Sequence, residues 1–542
     1  MASFTFEPLT PAAFLRRAAA VFADRTAIVD GDRAWTYREL ADRCDALRGT
    51  LSALGVAPGD RVAALCVNSH VMLELHHAVP SSGAVLVPIN TRLAPEEMAY
   101  IVEHSGARVI VATAELAVAA SKVAADTGVR LVVAGDEHDE YERLLGSAPA
   151  TDPVEIDERE LLAINYTSGT TGRPKGVMYH HRGAFLQAVA MCHHAGLGPD
   201  ARYLWTLPMF HCNGWCFTWA VTAAGGTHVC LRAVDVAEIW RRLHDGGITH
   251  LSAAPTVLTM IAEAPAAAPL PGARTVHVDT GGAPPSPTLL VRMARLGLRI
   301  THLYGMTETF GPIALNEWQR RWDSLAEEEQ FRLRARQGIG NIVAVPLRVV
   351  DPDGRDVPAD GETIGELAAR GNDVMLGYYR DEAATDAVTV DGWFLTGDLA
   401  VKHRDGYVEI RDRRKDIIIS GGENIASVEV EQALDSHPDV VESAVVGVPD
   451  EKWGEVPVAY VHLRDGATAG PAELGAHVRT GLAGFKAPRA YVFTELPKTS
   501  TGKIQKNVLR ARGASDLGRA PGLAVDQRED VVDGAVDEDD LT

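Results

Sequence analysis

The chain has 542 residues, of which 46% are hydrophobic and 23% are charged, a balance typical of soluble globular proteins. Its formal net charge of −21 at pH 7 argues against general nucleic-acid binding, because the chain has no excess of basic side chains to neutralise phosphates. A chain of this length predicts more than one domain.

Several features of the sequence bear on where the protein resides. Its first 24 residues include charged side chains and no clean apolar core, so no secretory signal is expected. No apolar run reaches the about 20 residues that a membrane-spanning helix needs. The six cysteines are too sparse for a disulfide scaffold in a chain of this size. The sequence therefore predicts a cytoplasmic protein without stable membrane insertion, and the acidic residues 516–542 predict a disordered tail.

Residues 12–150 alternate helical and strand patterns. A helix is predicted over 37–54, where Thr36 is a favourable N-cap residue, and another over 95–105. A short apolar run over 61–67 predicts a buried strand. Strands that alternate with helices of this length predict a parallel, doubly wound sheet.

The segment 165–177, NYTSGTTGRPKGV, combines glycines, hydroxyl side chains and one lysine between two apolar segments. Glycine lets the backbone approach a ligand closely, and successive N–H groups form an anion-binding concavity. The spacing is not that of a Walker loop, because two residues separate Gly172 from Lys175 where that motif has glycine and lysine adjacent. The segment therefore predicts a phosphate-binding loop of another kind.

The stretch PMFHCNGW and the residue after it contain His211, Cys212 and Cys216, which invite a zinc hypothesis. A closed structural zinc site needs four ligands, typically two spaced pairs, and the sequence places no second pair to complete it. The alternative, a pocket wall built from His211, Asn213 and Trp215, is favoured.

Two later loops each follow a predicted strand. Residues 281–285 have no bulky side chain, so a flat ring could lie against their backbone, and 303–312, LYGMTETFGP, contain one carboxylate, Glu308. In open α/β sheets ligands gather at the carboxyl ends of the strands. These two loops and the phosphate loop are therefore predicted to face one crevice.

The C-terminal half changes in pattern. Residues 316–336 are highly charged and predict a surface helical excursion, and from residue 347 short strands between Asp-Gly turns predict a β-rich subdomain. An independent small α+β unit follows the charge cluster RDRRKD at 411–416. Its last loop, 497–503, reads PKTSTGK, and a lysine there is ordinarily a solvated surface charge. The predicted fold class is α/β, with a large N-terminal body of doubly wound sheets, a β-rich subdomain and a small mobile α+β C-terminal domain.

Seven stretches together resemble the adenylate-forming superfamily of acyl-CoA synthetases, luciferases and peptide-synthetase adenylation domains. They are YTSGTTGRPKG, PMFHCNGW, GGAPP, YGMTE, TGD, DRRKDIIISGGENI and PKTSTGK. They occur in the family's order and extend from the first helix to about Arg512. The resemblance implies an N-terminal AMP-binding domain over 1–413, a hinge at 414–415, and a C-terminal AMP-binding enzyme domain over 416–515.

The resemblance also implies a site for ATP with Mg²⁺. The phosphate loop would hold the β- and γ-phosphates through Thr167, Ser168, Gly169, Thr170, Thr171, Gly172 and Lys175. The rest of the nucleotide would contact Gly282, Ala283, Pro284, Tyr304, Gly305, Met306, Thr307, Asp398 and Arg413. Among these, Tyr304 would stack on the purine, and Asp398 and Arg413 would bind the ribose hydroxyls. Glu308, together with Thr167, would ligate Mg²⁺, because a carboxylate oxygen suits a hard cation.

A two-step reaction follows from the resemblance. A carboxylate attacks the α-phosphorus of ATP to give an acyl-adenylate and pyrophosphate, and the thiol of coenzyme A then attacks the acyl carbon and releases AMP. Lys503 would be the catalytic lysine that stabilises the charge developing on the α-phosphate. Thr307, Glu308 and His211 would complete the catalytic set.

The same lysine cannot occupy its first-step position while the thiol enters that region. In the family the small domain swings to resolve this conflict, and Lys415 lies where the family has its hinge. The swing would present Gly421, Gly422 and Glu423 to the coenzyme A channel.

The implied acyl pocket contains His211, Trp215 and Gly282. PMFHCNGW and the ARQG at 335–338 are most similar to the branch that handles medium-chain, aryl and methylthioalkanoate acids. A bulky tryptophan should shorten the cavity, so a small-to-medium-chain acid is expected, either a fatty acid or a 3-methylthiopropionate-like acid. Asp412 stands where many relatives have glycine, which leaves the local turn geometry open.

Other functions stay open at this point. They are an aryl-CoA ligase of the benzoate type, a stand-alone adenylation enzyme that serves a carrier protein, and a luciferase-type oxygenase. A peptide-synthetase enzyme is disfavoured because no carrier-type serine motif follows Lys503. A non-catalytic relative is disfavoured because every polar position expected for catalysis is present. The expected partners are a carboxylic acid, ATP and coenzyme A, and a homodimer is considered.

Overall fold

The computed structural model describes residues 5–135, 137–149, 151, 154–167, 173–421, 423–450, 452–499 and 502–517. The chain divides into two compact units. The first contains Met1–Asp416 and Pro497–Gln505, and the second contains Ile417–Leu496 and the residues from Lys506 onward. The domain boundaries drawn from the resemblance, with their hinge at 414–415, stay predictions.

Fourteen helices belong to the described part of the first unit. They are α1 (Ala12–Val21), α2 (Tyr37–Ala53), α3 (His70–Ser81), α4 (Pro95–Ser105), α5 (Ala117–Thr127), α6 (Glu140–Ser147), α7 (His181–Ala195), α8 (Cys212–Trp215), α9 (Phe217–Ala224), α10 (Val236–Asp245), α11 (Pro255–Glu263), α12 (Pro287–Arg295), α13 (Glu327–Ala335) and α14 (Glu382–Asp386). All are right-handed except α8, which is a single left-handed turn.

The described strands of the first unit number twenty-one. They are β1 (Thr26–Asp30), β2 (Arg33–Thr36), β3 (Arg61–Leu65), β4 (Val85–Pro88), β5 (Ala107–Thr113), β6 (Arg130–Ala134), β7 (Leu161–Thr167), β8 (Lys175–His180), β9 (Arg202–Leu204), β10 (Thr227–Val229), β11 (His250–Ala253), β12 (Val276–Thr280), β13 (Leu298–Met306), β14 (Gly311–Leu315), β15 (Ile339–Gly340), β16 (Arg348–Val350), β17 (Gly365–Ala369), β18 (Gly377–Tyr378), β19 (Thr389–Val390), β20 (Trp393–Lys402) and β21 (Val408–Arg413).

These strands form three sheets. One has the order β15-β14-β13-β12-β11-β9-β10-β1-β2 and the second β18-β8-β7-β4-β3-β5-β6. Both have parallel centres; the first has antiparallel pairs at both edges, and the second has them only at the edge that contains β18. The third is antiparallel, in the order β16-β17-β20-β19, with β21 paired to β20. The predicted doubly wound body and β-rich subdomain are confirmed.

The second unit is a small α+β fold, as predicted. Its elements are β22 (Ile418–Ser420), β23 (Glu423–Ile425), α15 (Ser427–Asp435), β24 (Val440–Asp450), β25 (Gly454–Leu463), α16 (Pro471–Gly481), β26 (Ala490–Phe493) and α17 (Lys506–Leu517). The sheet order is β23-β22-β25-β24, with β26 parallel to β25. Val445, Ala459 and Val461 lie in its core with Leu434 and Leu474 of the helices.

Local sequence explains where the main helices begin. The hydroxyl of Thr36 accepts a hydrogen bond from Glu39 N at 3.2 Å, and the Glu39 carboxylate accepts one from Thr36 N at 2.7 Å. This reciprocal capping box satisfies two N–H groups that a helix terminus otherwise leaves unpaired. The predicted N-terminus of α2 is therefore confirmed, and Pro95 at the start of α4 agrees with the prediction as well.

Two predicted elements differ from the structure. The strands after residue 347 were expected to be short, but β20 has ten residues and continues to Lys402. Gly397, with a φ of 75°, allows an irregularity opposite β17. The excursion at 316–336 was expected at the surface. That expectation was wrong for Trp322, which is buried and packs edge-on against Tyr407 with ring centroids 5.2 Å apart.

Among the described residues, every helix is too short or too polar to cross a bilayer.

Candidate active site

The predicted phosphate loop connects the two strands of a hairpin. β7 and β8 are antiparallel, and Thr167 lies opposite Lys175 where the strands part. Ser168, Gly169, Thr170, Thr171 and Gly172 lie outside the described residues. The hairpin thus presents a hydroxyl and an ammonium group at the two ends of the predicted loop.

The loop after β13 lies next to this hairpin. The Tyr179 hydroxyl of β8 donates to the carbonyl oxygen of Thr307 at 2.6 Å, and Met375 N donates to the carbonyl oxygen of Glu308 at 2.9 Å. The loop after β13 is therefore hydrogen-bonded to β8, the second strand of the hairpin, and to the segment of Met375. Gly305 has no room for a side chain, because a methyl group there would lie 1.8 Å from the Gly311 carbonyl oxygen.

The Glu308 carboxylate has a partner that the sequence did not reveal. The Tyr378 hydroxyl donates to Glu308 Oε1 at 2.8 Å, and the Lys175 ammonium lies 4.7 Å from the centroid of the Tyr378 ring. Burial, followed by the charge of Glu308, raises the pKa of Tyr378 above its ordinary value, so the hydroxyl keeps its proton as a donor. Tyr378 lies beside Glu308 because β18 pairs with β8, which is about 200 residues earlier in the sequence. No local sequence pattern predicts that pairing.

Asp398, Tyr304 and Arg413 form a second cluster. The Tyr304 hydroxyl donates to Asp398 Oδ2 at 2.6 Å, and Arg413 Nε lies 3.1 Å from Asp398 Oδ1. Asp398 and Arg413 are direct neighbours across the β20–β21 pair. The three residues were predicted from separate motifs to bind the nucleoside, and the strand register brings them together.

The loop that follows β12 presents little side-chain bulk. Gly282 and Ala283 are exposed, Pro284 is half-buried, and Gly282 has a φ of 88°, which favours glycine. A methyl group at Gly281 would lie 2.9 Å from the Leu303 carbonyl oxygen and 3.2 Å from Trp215 Cη2. At Gly281 this loop therefore packs against both the strand of Tyr304 and the indole of Trp215.

His211 precedes the left-handed turn α8, and Trp215 is the last residue of that turn. His211 is half-buried, and burial, with the charge of Lys503 second, lowers the pKa of His211 to about 4, so the imidazole is neutral at pH 7. The Cys212 thiol lies 3.7 Å from Thr307 Oγ1. No cluster of three or more metal-ligating side chains occurs among the described residues, so the zinc hypothesis gains no support here.

Lys503 lies on the loop Pro497–Gln505, which belongs to the first unit. Lys503 N donates to Thr499 Oγ1 at 3.1 Å, Thr499 N donates to the Lys503 carbonyl oxygen at 2.7 Å, and Gly502 has a φ of 83°. Loss of water around the ammonium group, and then repulsion from Arg413, lower the pKa of Lys503. The residue remains exposed, so solvent screens part of this effect.

The residues predicted for the hinge and the thiol channel follow Arg413 in the sequence. Lys415 is exposed in the turn after β21. In the second unit, Gly421 N donates to the Trp453 carbonyl oxygen at 2.8 Å, and a methyl group at Gly421 would lie 2.7 Å from Trp453 Cε3. Gly422 lies outside the described residues, and Glu423 is exposed at the start of β23. Trp453 was not predicted from sequence.

Comparisons with known proteins show the family to which the chain belongs. The model of the AMP-binding enzyme family matches residues 15–379, and the model of the AMP-binding enzyme C-terminal domain matches residues 429–503. The chain is 43% identical to an acetate–CoA ligase of Humulus lupulus over 95% of this chain and 96% of the relative. It is 42% identical to a peroxisomal acetate/butyrate–CoA ligase of Arabidopsis thaliana, again over 95% and 96%. The crystal structure of ATP-bound MatB from Rhodopseudomonas palustris has a TM-score of 0.82 at 29% identity, with 92% of this chain and 98% of that chain covered.

Proposed function

Because the chain belongs to the AMP-binding, adenylate-forming enzyme family and is an AMP-forming acyl-CoA ligase, we propose that its acid is a small-to-medium-chain carboxylic acid activated at the site described above. The observation that supports this size limit is the position of Trp215. A methyl group at Gly281 would lie 3.2 Å from its indole, and one at Gly311 would lie 3.3 Å from it. The ring therefore occupies the space between two loops of the site, where a long acyl chain would otherwise run.

The relatives point to the same range of acids. The two ligases from Humulus lupulus and Arabidopsis thaliana are named for acetate and for acetate and butyrate. We extend this range to medium-chain acids, including a 3-methylthiopropionate-like acid, because the sequence motifs around His211 and Trp215 favour that branch. An aryl-CoA ligase remains the main alternative.

In the first half-reaction, the acid carboxylate attacks the α-phosphorus of ATP and pyrophosphate leaves. The Thr167–Lys175 hairpin would hold the leaving pyrophosphate, and Thr307 would contact the α-phosphate. Lys503 supplies a cation that stabilises the charge of the transition state. The cluster of Asp398, Tyr304 and Arg413 would fix the nucleoside, so that the reacting atoms are held in line.

In the second half-reaction, the thiolate of coenzyme A attacks the acyl carbon, and AMP leaves with the electron pair of the broken acyl–phosphate bond. We propose that Gly421 and its neighbours Gly422 and Glu423 line the thiol path after a swing about Lys415. The Trp453 indole fills the space beside Gly421, so it would form one wall of this path. A cytoplasmic location and a homodimer stay predictions from the sequence.

Mg²⁺ fits the residues around Glu308. The Tyr378 hydroxyl donates to Oε1, and no residue that the structure describes donates a hydrogen bond to Oε2, so the lone pairs of this oxygen are available to a cation. Mg²⁺ is commonly bound by one or two carboxylates together with substrate phosphates and water. Glu308, with the Thr167 hydroxyl, would hold the ion, which when bound would offset the charge of the phosphates.

Removing the hydroxyl that orients Glu308 should weaken the metal site. We expect Tyr378→Phe to raise the Mg²⁺ concentration for half-maximal pyrophosphate release about tenfold, because residues that hold a ligand by hydrogen bonds affect metal affinity by this order. Tyr379→Phe is the matched control, since Tyr379 is the next residue and its ring lies beside His104 instead. Equal Mg²⁺ titrations for both variants would contradict this role for Tyr378.

A panel of acids tests the proposed function. Pyrophosphate release should be fastest with butyrate, hexanoate or 3-methylthiopropionate, slower with benzoate, and weakest with palmitate, and AMP release should require coenzyme A. Trp215→Gly should shift the optimum toward longer acids. Benzoate as the best acid would establish the aryl alternative. Transfer only to a carrier protein, or light emission with a luciferin and oxygen, would establish one of the other two.

A further inference from the structure

The turn between His211 and α9 has a left-handed backbone conformation, which L-amino acids rarely adopt. Five consecutive residues have positive φ: Cys212 (43°), Asn213 (45°), Gly214 (59°), Trp215 (52°) and Cys216 (62°). Four of them are not glycine, and each such residue costs free energy in the left-handed region. Such a run is stable only where contacts with the surrounding structure offset its conformational cost. The contacts of this turn therefore show which residues hold it in this conformation.

One side chain of β7 holds the turn in two places. Asn165 Oδ1 accepts a hydrogen bond from Asn213 N at 3.2 Å, and Asn165 Nδ2 donates to Asn213 Oδ1. Both asparagines are buried, with 3% and 0% exposure, so neither amide can exchange its partner for bulk water. On the far side, the Thr218 hydroxyl donates to the Asn213 carbonyl oxygen at 3.1 Å.

The turn also has a steric requirement. A methyl group at Gly214 would lie 2.7 Å from Trp205 Cζ3, so only glycine fits at the centre of the turn. Trp205 is fully buried and its indole N–H donates to His228 at 3.1 Å, so it cannot move aside easily. The left-handed path is therefore fixed between a buried indole and the side chain of Asn165.

The consequence is the position of Trp215. In a right-handed turn the indole would leave the chain in another direction, whereas here it lies against the loops of Gly281 and Gly311. The same turn sets the Cys212 thiol beside His211 and Thr307. The left-handed conformation of the turn thus determines where Trp215 lies in the wall of the acyl pocket. That conformation depends on Asn165, which is not part of the wall.

We infer that Asn165 is a positioning residue for acyl-chain specificity, because its amide holds the left-handed turn that sets Trp215. This inference rests on the proposed acyl pocket. Asn165 contacts neither the acid nor ATP in this role, and it acts through Asn213.

Three variants test the inference. We expect Asn165→Ala to change the ratio of kcat/KM for hexanoate to kcat/KM for acetate about tenfold, the effect of losing a pair of buried hydrogen bonds, while the KM for ATP changes less than about twofold. Asn213→Ala should behave similarly, because alanine disfavours positive φ. Asn213→Gly should stay close to the wild-type ratio, because glycine adopts positive φ and its N–H can still bond to Asn165.

Asn316→Ala is the control for general loss of stability. Asn316 is also buried, and its amide bonds to the carbonyl oxygens of Leu333 and Arg336, away from the turn. It should lower the melting temperature and leave the acid ratio unchanged. The inference is overturned if Asn165→Ala keeps the wild-type ratio, or if Asn213→Gly and Asn213→Ala change it equally.

Trp215→Gly separates this inference from the proposed function. If that variant leaves the acid ratio unchanged, the proposed acyl pocket fails, and the inference fails with it. If Trp215→Gly changes the ratio and Asn165→Ala does not, the pocket stands and only the inference is refuted.

Discussion

Replacing Lys503 by alanine should slow acyl-adenylate formation about 100- to 1000-fold, the usual cost of removing one group that stabilises developing charge. The second half-reaction, measured from preformed acyl-adenylate and coenzyme A, should keep a rate near that of wild type. The physical reason is that, in its proposed role, the ammonium group would stabilise charge that exists only while the α-phosphate is attacked. ATP–pyrophosphate exchange and thioester formation, measured separately, check the two halves.

Lys498→Ala provides the matched control on the same loop. Lys498 belongs to the same nine-residue segment Pro497–Gln505, so its loss tests whether any positive charge on the loop is sufficient. We expect at most a small change in either half-reaction. If Lys503→Ala slowed both half-reactions equally, Lys503 could not act in adenylate formation alone, and this prediction would be refuted.

The pH dependence of adenylation should follow Lys503. Loss of water around the ammonium group, and then the charge of Arg413, lower the pKa of Lys503. The wild-type rate should therefore begin to fall at a lower pH than it would if Lys503 had the pKa of a solvated lysine. Lys503→Arg, which keeps its charge at all accessible pH values, should remove this alkaline fall. A fall that persists in Lys503→Arg must come from another group.

The first unit should lose stability steeply as the pH falls from 6.5 toward 4.5. Burial lowers the pKa of His76, His181 and His302 to about 4 and that of His77 to about 3, below the ordinary value of 6.5. Below pH 6.5 these histidines therefore bind protons in the unfolded chain but stay neutral in the folded chain. Each such histidine reduces the free energy of unfolding by about 1.4 kcal/mol per pH unit in this window.

One buried carboxyl acts in the opposite direction. Burial raises the pKa of Asp373 to about 7, so the folded state takes up this proton before the unfolded state does, and stability increases as the pH falls. Asp373 thus offsets one of these histidines. In His70 and His277 burial is outweighed by the carboxylates of Asp30 and Asp279, so their raised pKa acts in the same direction as that of Asp373. The net expectation is still a large loss of stability, visible as a falling urea midpoint between pH 6.5 and 4.5.

His76→Gln identifies the source of this effect. His76 is fully buried and its Nε2 has no hydrogen-bond partner in the described structure. The variant should reduce the slope of unfolding free energy against pH by about 1.4 kcal/mol per pH unit. His193→Gln, at an exposed position of α7, should leave the slope unchanged. Stability that is flat from pH 7 to pH 5 in wild type would rule out neutral buried histidines as the cause.

Much of the fold could be predicted from local patterns. Thr36 and Glu39 predict the start of α2, and prolines indicate the first turns of α4 and α12. The alternation of strands and helices indicates parallel sheets. These signals work because capping and hydrophobic periodicity depend on neighbours in sequence. The small α+β unit was predictable for the same reason.

The candidate site was predictable only in its parts. Glu308, Asp398, Arg413 and Lys503 could be named from motifs, yet the pairing of Asp398 with Arg413 depends on the extension of β20 through the TGD motif. Tyr378 could not be named, because its hydrogen bond to Glu308 exists only through the pairing of β18 with β8.

The sequence by itself determined the residue types that chemistry on ATP and a carboxylic acid requires, and the order in which they follow one another. Only the tertiary structure decided how they meet. The left-handed turn at 212–216 shows why: an isolated peptide of this sequence would avoid positive φ at four of its five residues. The buried amide of Asn165, which is distant in sequence, and the indole of Trp205 supply the interactions that make this turn the stable one.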